Sequence, residues 1–110
     1  MDTMLTRLRY ASTFADDPKP DELALIVAWS AASNSARGIT GILAVDGRQV
    51  MQVLEGPPEE IDALFLRISA DPRHYGIVVI DHHGIPATSF ADWGMVRKSM
   101  TSMLLTVDGW

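Results

Sequence analysis

The segment ITGILAVDGRQVMQVLEG, residues 39–56, decides the fold because two apolar runs flank its Asp46-Gly47 pair. An Asp-Gly pair in this setting is the strongest short-range signal for a two-residue hairpin turn. A turn at these two residues places Gly41 opposite Gln52 in the paired strands. Gln52 then lies in the middle of an otherwise apolar face, and the glycine opposite leaves space above it.

The chain before this hairpin begins with a strand over residues 5–12. Its residues alternate, with Leu8 and Tyr10 on one side and Arg7 and Arg9 on the other. This period of two predicts a strand that is covered on one face only. Tyr10 therefore points inward.

A helix follows, because Pro20 suits a first helical turn and the acidic residues after it suit the positive end of the helix dipole. We expect this helix to run to about Arg37. One of its faces is an apolar stripe that two polar side chains continue. The stripe consists of Leu23, Ile26, Val27, Ser30 and Asn34.

A second helix begins after the hairpin, at residues 56–60, and Asp71-Pro72 ends it. Its apolar stripe, which Arg67 flanks, consists of Ile61, Leu64, Phe65 and Ile68. The β-branched run 77–80 predicts a short buried strand. Residues 93–96 are a candidate edge strand after a loop over residues 82–92.

The element order is therefore β-α-β-β-α-β with a candidate further strand. This is the order of the ferredoxin-like split βαβ motif, an α+β fold in which two helices cover one face of a mixed sheet. We expect a single domain over residues 1–100 and a short tail over residues 101–110. A ligand would lie in the groove between the helices, although the fold alone does not name a function.

Composition narrows the function classes. The formal net charge is −5 with only 9 lysines and arginines, which argues against a nucleic-acid partner. Cysteine is absent, so disulfides and thiolate metal sites are excluded. No apolar run approaches the roughly 20 residues that span a bilayer. We expect a soluble, cytoplasmic protein that binds neither nucleic acid nor membrane.

Three inward polar residues need an explanation, because buried amides and hydroxyls require hydrogen-bond partners. Gln52 alone could be a core glutamine bonded to backbone or buried water. Tyr10 alone could be an ordinary core tyrosine, and Asn34 could cap the end of its helix. Since the predicted fold brings the three segments together, the alternative is a ligand edge with alternating donors and acceptors.

At this point the sequence resembles a known family. Four segments, RLRYAST (7–13), SNSARGITGILAVDGRQVMQVLEGP (33–57), RISADPRHYGIVVI (67–80) and FADWGMV (90–96), are similar to the ordered motifs of BLUF domains, which sense blue light with a flavin. The resemblance covers nearly all of residues 5–97. It implies noncovalent FAD between the two helices and a light-driven electron and proton transfer from tyrosine, after which a glutamine changes its hydrogen bonds.

The resemblance also implies roles for individual residues. Tyr10 matches the photoactive tyrosine, Asn34 the asparagine at the flavin ring, and Gln52 the switching glutamine. Trp93 and Met95 match the residues that relay the signal. The remaining positions that match or line the flavin pocket are Ser30, Arg67, Ile26 and Ile68. Ser33 departs from the asparagine or histidine of many relatives, so affinity or photocycle rate could differ.

Other candidate sites and functions have less support. The histidines and Asp81 of residues 74–83 are better explained as a solvated loop than as a metal site. The acidic group at residues 55–62 is better explained as a solvated helix start. A flavin-dependent redox enzyme remains a rival, but no catalytic acid or nucleophile accompanies Gln52, so we expect a sensor and not an enzyme. A colourless regulatory module on the same fold is the second rival.

The outer face of the predicted sheet is too apolar to stay bare. It is interrupted by four polar residues, and its apolar members are Leu5, Ala11, Ile42, Ala44, Met51 and Val53. We expect this face to form a homo-oligomer, such as a two-fold dimer, or to dock an effector protein, with Leu104-Leu105 and Trp110 adding contacts. The alternative is that the tail folds back and shields the patch.

Overall fold

A five-stranded sheet with two helices organises the part of the chain that the structure, a computed structural model, describes, namely residues 4–89, 94–100 and 102–103. The elements are β1 (Leu5–Phe14), α1 (Pro20–Ala36), β2 (Thr40–Asp46), β3 (Gln49–Gly56), α2 (Pro58–Ala70), β4 (His74–Ile85) and β5 (Val96–Lys98). The strand order is β4-β1-β3-β2-β5, antiparallel except for the parallel pair β2–β5. The ferredoxin-like α+β fold predicted from the sequence is confirmed.

The main core lies between the inner face of the sheet and the two helices. Leu8, Leu54 and Ile61 are each at most 1% exposed there. The predicted stripe of α2 packs against these residues through Leu64, Phe65 and Ile68. Both helices begin with a proline, which has no backbone N–H to leave unsatisfied in the first turn. In the described part of the chain, no helix is long and apolar enough to span a membrane.

The β2–β3 hairpin turns one residue later than predicted. Asp46 pairs with Gln49, so the turn consists of Gly47 and Arg48, and Gly47 adopts a φ of 59°. A shift of one residue in the turn moves the register by two, which keeps every side chain on its predicted face. However, Gln52 pairs with Leu43 and not with Gly41, so the predicted glycine opposite Gln52 is wrong.

Both faces of β1 are buried, whereas the sequence predicted cover on one face only. On the outer face, the Arg7 Nε donates to Glu55 Oε2 at 2.6 Å, and Arg9 forms an ion pair with Asp81. Glu55 also accepts hydrogen bonds from the Thr88 hydroxyl and a backbone N–H, and it is 1% exposed. Its predicted place in a solvated helix start is therefore wrong, because the ion pair allows its burial.

Strand β4 is longer and more exposed than predicted. It extends over His74–Ile85, which includes part of the predicted loop, and it forms an edge of the sheet. Val78, Val79 and Ile80 are between 45% and 61% exposed, so the prediction of a buried strand is wrong. A β-branched run favours a strand, but it does not reveal whether another element covers it.

The outer sheet face is partly covered by the chain itself. Ile42, Ala44 and Val53 are all 0% exposed because Met103 packs on them, with Met51 and Met100 at the border. This part of the apolar patch is not free to bind a partner, and the folded-back tail is the alternative that fits it. The predicted contacts of residues 104, 105 and 110 lie outside the described residues, as does Trp93 of the candidate edge strand.

The Arg7–Glu55 pair provides a stability prediction. Replacing Glu55 with leucine removes the carboxylate but leaves the guanidinium of Arg7 buried, which costs about 3–5 kcal/mol of unfolding free energy. Urea denaturation of Glu55→Leu and of the Arg7→Met/Glu55→Leu double variant measures this, and the double variant should recover most of the loss. Glu59→Gln on the surface of α2 is the control. A loss of unfolding free energy below about 1 kcal/mol for Glu55→Leu would contradict a stabilising role of the Arg7–Glu55 pair.

Candidate flavin site

A cleft opens between the inner sheet face and the two helices. Its cavity volume is about 140 Å³. Strand residues form its floor and helix residues its walls. The lining comprises Tyr10, Phe14, Ile26, Ser30, Asn34, Leu43, Val50, Gln52, Leu64, Ile68, Asp71, Arg73, His74 and Met95.

Tyr10 and Gln52 meet on the floor because β1 and β3 pair them directly in antiparallel register. The Tyr10 hydroxyl donates a hydrogen bond to Gln52 Oε1. The Tyr10 ring is 3% exposed and lies 5.7 Å from the ring of Phe65, tilted by 58°. Burial, followed by the charge of Asp71, raises the pKa of Tyr10 above its ordinary value. The phenol is therefore neutral at physiological pH and available as a donor.

The other end of the Gln52 amide contacts Met95. Gln52 Nε2 lies 3.7 Å from Met95 Sδ, the distance of a weak hydrogen bond to sulfur. Gly41 provides room for this methionine, because a Cβ at that position would lie 2.9 Å from Met95 Cε. The Gln52 amide therefore bridges Tyr10 and the segment that precedes β5.

Asn34 ties helix α1 to the same segment. Its Nδ2 donates to the Gly94 carbonyl at 2.8 Å, and the residue is 2% exposed. Gly94 packs so closely on α1 that an added Cβ would lie 2.4 Å from the Ala31 carbonyl oxygen. The side chain of Asn34 thus holds two segments together and does not cap its own helix. Its Oδ1 remains an acceptor at the wall of the cleft.

Sequence reasoning missed three polar residues at the cleft. The Asp71 carboxylate holds Arg73 through an ion pair of 2.5 Å, and the hydrogen bond from Arg73 lowers the pKa of Asp71. His74 Nε2 donates to the Ile68 carbonyl at 2.6 Å, and its Nδ1 lies 2.8 Å from the Ser12 hydroxyl. These residues lie directly after the predicted end of the second helix, within segment 67–80. The sequence pattern there indicated a helix end and gave no sign of a binding role.

The predicted site residues do not all reach the cleft. Tyr10, Asn34, Gln52 and Met95 line it together, and the side chains predicted for its walls that do so are Ser30, Ile26 and Ile68. Arg67 is exposed on α2 and is not part of the lining. The helical spacing placed it beside the apolar stripe, but the helix turns its side chain away from the cleft. Trp93 lies outside the described residues.

These residues fit a flavin ring. The walls of the cleft are mainly apolar with a few convergent polar groups, as is usual for small-molecule sites. Two carboxamides, from Asn34 and Gln52, can each donate and accept. This donor and acceptor set suits the pyrimidine edge of an isoalloxazine ring, which alternates the same two functions. Within the described residues, no group of three or more histidines and carboxylates could hold a metal ion.

The fold and the cleft define a ferredoxin-like α+β domain with a site for a planar, hydrogen-bonding ring. Comparison with known proteins makes the assignment specific. The family model of BLUF, described as sensors of blue light using FAD, matches residues 5–96. The chain belongs to the BLUF family, whose members are blue-light sensor modules that bind flavin.

Two curated relatives illustrate the range of the family. The blue light- and temperature-regulated antirepressor BluF of Escherichia coli is 37% identical over 92 residues, which are 84% of this chain and 23% of that protein. The photoactivated adenylate cyclase subunit beta of Euglena gracilis is 34% identical over 103 residues, or 92% of this chain and 12% of that protein. This chain therefore spans less than a quarter of either relative.

Solved structures agree with the fold. BlrB, a BLUF protein in its dark state, superposes with a TM-score of 0.83 at 35% identity, covering 96% of this chain and 80% of BlrB. Klebsiella pneumoniae BlrP1 with FMN and cyclic diGMP gives a TM-score of 0.82 at 37% identity, covering 89% of this chain and 26% of that one. These likenesses extend over both helices and the sheet that form the cleft.

The raised pKa of Tyr10 predicts a pH-dependent stability. The unfolded chain loses the phenolic proton as the pH rises through about 10, whereas the folded chain keeps it. The unfolding free energy should therefore fall above about pH 10 by up to about 1.4 kcal/mol per pH unit, and Tyr10→Phe should lack this part. Urea denaturation of both proteins from about pH 8 to about pH 11 measures it. Parallel pH profiles of the two proteins would contradict a raised pKa of Tyr10.

Proposed function

We propose that this chain binds FAD noncovalently in the cleft and that Tyr10, Gln52 and Asn34 carry its response to blue light. The observation that supports this most directly is the hydrogen bond from the Tyr10 hydroxyl to Gln52 Oε1 inside the cleft. It joins an oxidisable phenol to a side chain that can reverse its donor and acceptor ends. Such a pair has no need of a catalytic acid, a nucleophile or an open substrate face.

The chain's own residues would hold the ring. Asn34 offers its Oδ1 at the wall of α1, since its Nδ2 is engaged with Gly94. Ile26 and Ile68 supply apolar walls from the two helices, and Ser30 adds a hydroxyl. Arg73 places a cation at the cleft, where the phosphate-bearing part of a flavin nucleotide would emerge. Arg67 is left out of this proposal because it lies away from the cleft.

A bound flavin would supply the absorption of blue light and an acceptor for one electron. Tyr10 is the donor that the site provides, and its phenol is neutral before excitation because burial raises its pKa. Loss of an electron makes a phenolic proton strongly acidic. That proton already lies in a hydrogen bond to Gln52 Oε1, so Gln52 receives it without rearrangement of the backbone.

Gln52 then converts the proton movement into a changed hydrogen-bond pattern. Return of the electron and of one proton to Tyr10 restores the neutral phenol and leaves the amide either rotated or tautomerised, with its donor and acceptor ends exchanged. Either change alters the contact of Nε2 with Met95, 3.7 Å away. The signal thereby leaves the cleft through Met95 towards β5. We propose that Trp93, two residues before Met95, takes part in the same signal relay.

The partner and the setting are also part of the proposal. The two curated relatives carry an antirepressor and an adenylate cyclase in their names, which indicates that domains of this family control different outputs. We propose that this chain acts on an effector protein and is not itself an enzyme. A flavin-binding domain over residues 1–100, a short tail over residues 101–110 and a cytoplasmic location stay predictions.

The first test of this proposal is the cofactor. The purified protein should be yellow, and denaturation should release the flavin intact because no covalent bond holds it. Chromatography of the released flavin distinguishes FAD from FMN and riboflavin. A protein that stays colourless after expression with ample riboflavin and reconstitution with FAD contradicts the proposal, and FMN as the only flavin contradicts the choice of FAD.

The second test is the photochemistry. Blue light should give a small reversible red shift of flavin absorption, and Gln52→Leu or Tyr10→Phe should abolish it while flavin stays bound, because each change keeps most of the side-chain volume. Asn34→Ala should instead weaken flavin binding by about 5- to 10-fold, as expected for one hydrogen bond. Ser69→Ala on the exposed side of α2 is the control, because Ser69 does not line the cleft. Steady oxidation of a reductant in darkness would favour the rival redox enzyme.

A further inference from the structure

The outward face of α1 has an unusual composition for a surface helix. No charged residue occurs between Glu22 and Arg37, although this helix covers the sheet from one side only. Leu25 is 51% exposed and Trp29 is 66% exposed. The residues that share this outward face are Ala24, Leu25, Ala28, Trp29 and Ala32.

The flavin site does not explain this face. Residues that line the cleft from α1, such as Ser30 and Asn34, lie on the inner side of the helix. Surface helices normally place charged residues on the side away from the core, whereas a helix that is apolar all round is normally buried. A leucine and a tryptophan one helical turn apart therefore form an apolar patch that no other element covers within the described part of the chain.

The charges at the two ends of the helix indicate what this partner is. Asp21 and Glu22 lie in the first turn, and Arg37 follows the last turn. When two such helices pack antiparallel across a two-fold axis, the acidic end of each lies beside the basic end of the other. Their helix dipoles also oppose each other favourably. A second copy of this chain is therefore complementary to the face in charge, as an isologous contact requires.

An anionic lipid surface is the less suitable occupant. The exposed residues Asp16 and Asp17 precede the helix, next to its acidic first turn, and the whole chain has a net charge of −5. These charges oppose binding to a negatively charged membrane, which attracts basic segments instead. The small side chains of Ala24, Ala28 and Ala32 on this face favour close approach of another helix.

We propose that the outward face of α1 binds the same face of a second copy of this chain, with Leu25 and Trp29 as the apolar centre and Asp21, Glu22 and Arg37 as the paired ends. A 17-residue helix is about 25 Å long, so the contact buries less than the roughly 800 Å² per partner of a standard interface. The dimer should therefore be reversible, with a dissociation constant in the micromolar range.

Sedimentation velocity over a concentration series from low micromolar to several hundred micromolar tests this proposal. Trp29→Glu should weaken association at least about tenfold, because it buries a carboxylate at the centre of the contact. Leu66→Glu is the matched control, since Leu66 on α2 is 72% exposed and lies on another surface. Circular dichroism verifies that both variants are folded.

Charge reversal provides a second, independent measurement. Asp21→Lys/Glu22→Lys and Arg37→Glu should each weaken the dimer, and the triple variant should restore it because the paired charges are exchanged. Arg37 also lies 3.9 Å from Glu60, but this exposed ion pair contributes little to folding. A monomer at all concentrations, equal sensitivity to Leu66→Glu, or no recovery in the triple variant overturns the proposal.

A vesicle-binding experiment tests the alternative partner, a lipid surface. Vesicles of phosphatidylcholine with phosphatidylglycerol are sedimented with the wild-type protein and with Trp29→Glu. Binding that depends on Trp29, together with a monomeric protein in solution, would assign the face to lipid and overturn the dimer. None of these measurements uses the red shift, so they succeed or fail independently of the photochemical proposal.

Discussion

The antiparallel pairing of β1 with β3 is the constraint on which the site depends, because it sets Tyr10 directly across from Gln52. Both side chains lie on the buried floor of the cleft, and the Tyr10 hydroxyl donates its hydrogen bond to Gln52 Oε1. The hydroxyl and the amide must satisfy each other in the low-dielectric floor of the cleft, where a missing hydrogen bond costs most. A neutral phenol and an amide that can exchange its donor and acceptor ends are thereby held in contact before any light is absorbed.

The opposite side of the same two strands is held by charge. Arg7 lies three residues before Tyr10 and Glu55 three residues after Gln52, and their ion pair is buried beneath the outer face. A one-residue slip between the strands would break this pair and put Tyr10 and Gln52 on opposite faces of the sheet. The proposed photochemical pair and the structural pair are therefore fixed by one register.

Two side chains connect this floor to the segment before β5. The Gln52 amide contacts the sulfur of Met95, and the Asn34 amide binds the Gly94 carbonyl. Adjacent residues of one short segment thus contact both the sheet and α1. In the proposed photochemistry, a change at the Gln52 amide would alter one of these contacts while the other stays, so a small chemical event would displace this segment. Because β5 is a three-residue strand at the edge of the sheet, such a movement would break few hydrogen bonds.

The sequence by itself determined the order of the elements, the ends of both helices and the inward direction of Tyr10, Asn34 and Gln52. These follow from local rules, namely proline and acidic residues at helix starts, the Asp-Gly turn and the periods of strand and helix. The resemblance added the flavin and the family, because linear motifs preserve chemistry that periodicity cannot express. Even the misplaced turn left every face correct, since its error shifted the register by two residues.

Only the tertiary structure decided which surfaces are covered. Glu55 looked like part of a solvated helix start, yet it is buried because Arg7 lies on the neighbouring strand. The β-branched run of β4 looked buried, yet it forms an exposed edge. Arg67 and Arg73 are similar in sequence terms, but only Arg73 reaches the cleft. Periodicity reports the direction of a side chain relative to its own element, whereas burial depends on distant segments that pack there, and no local pattern contains that information.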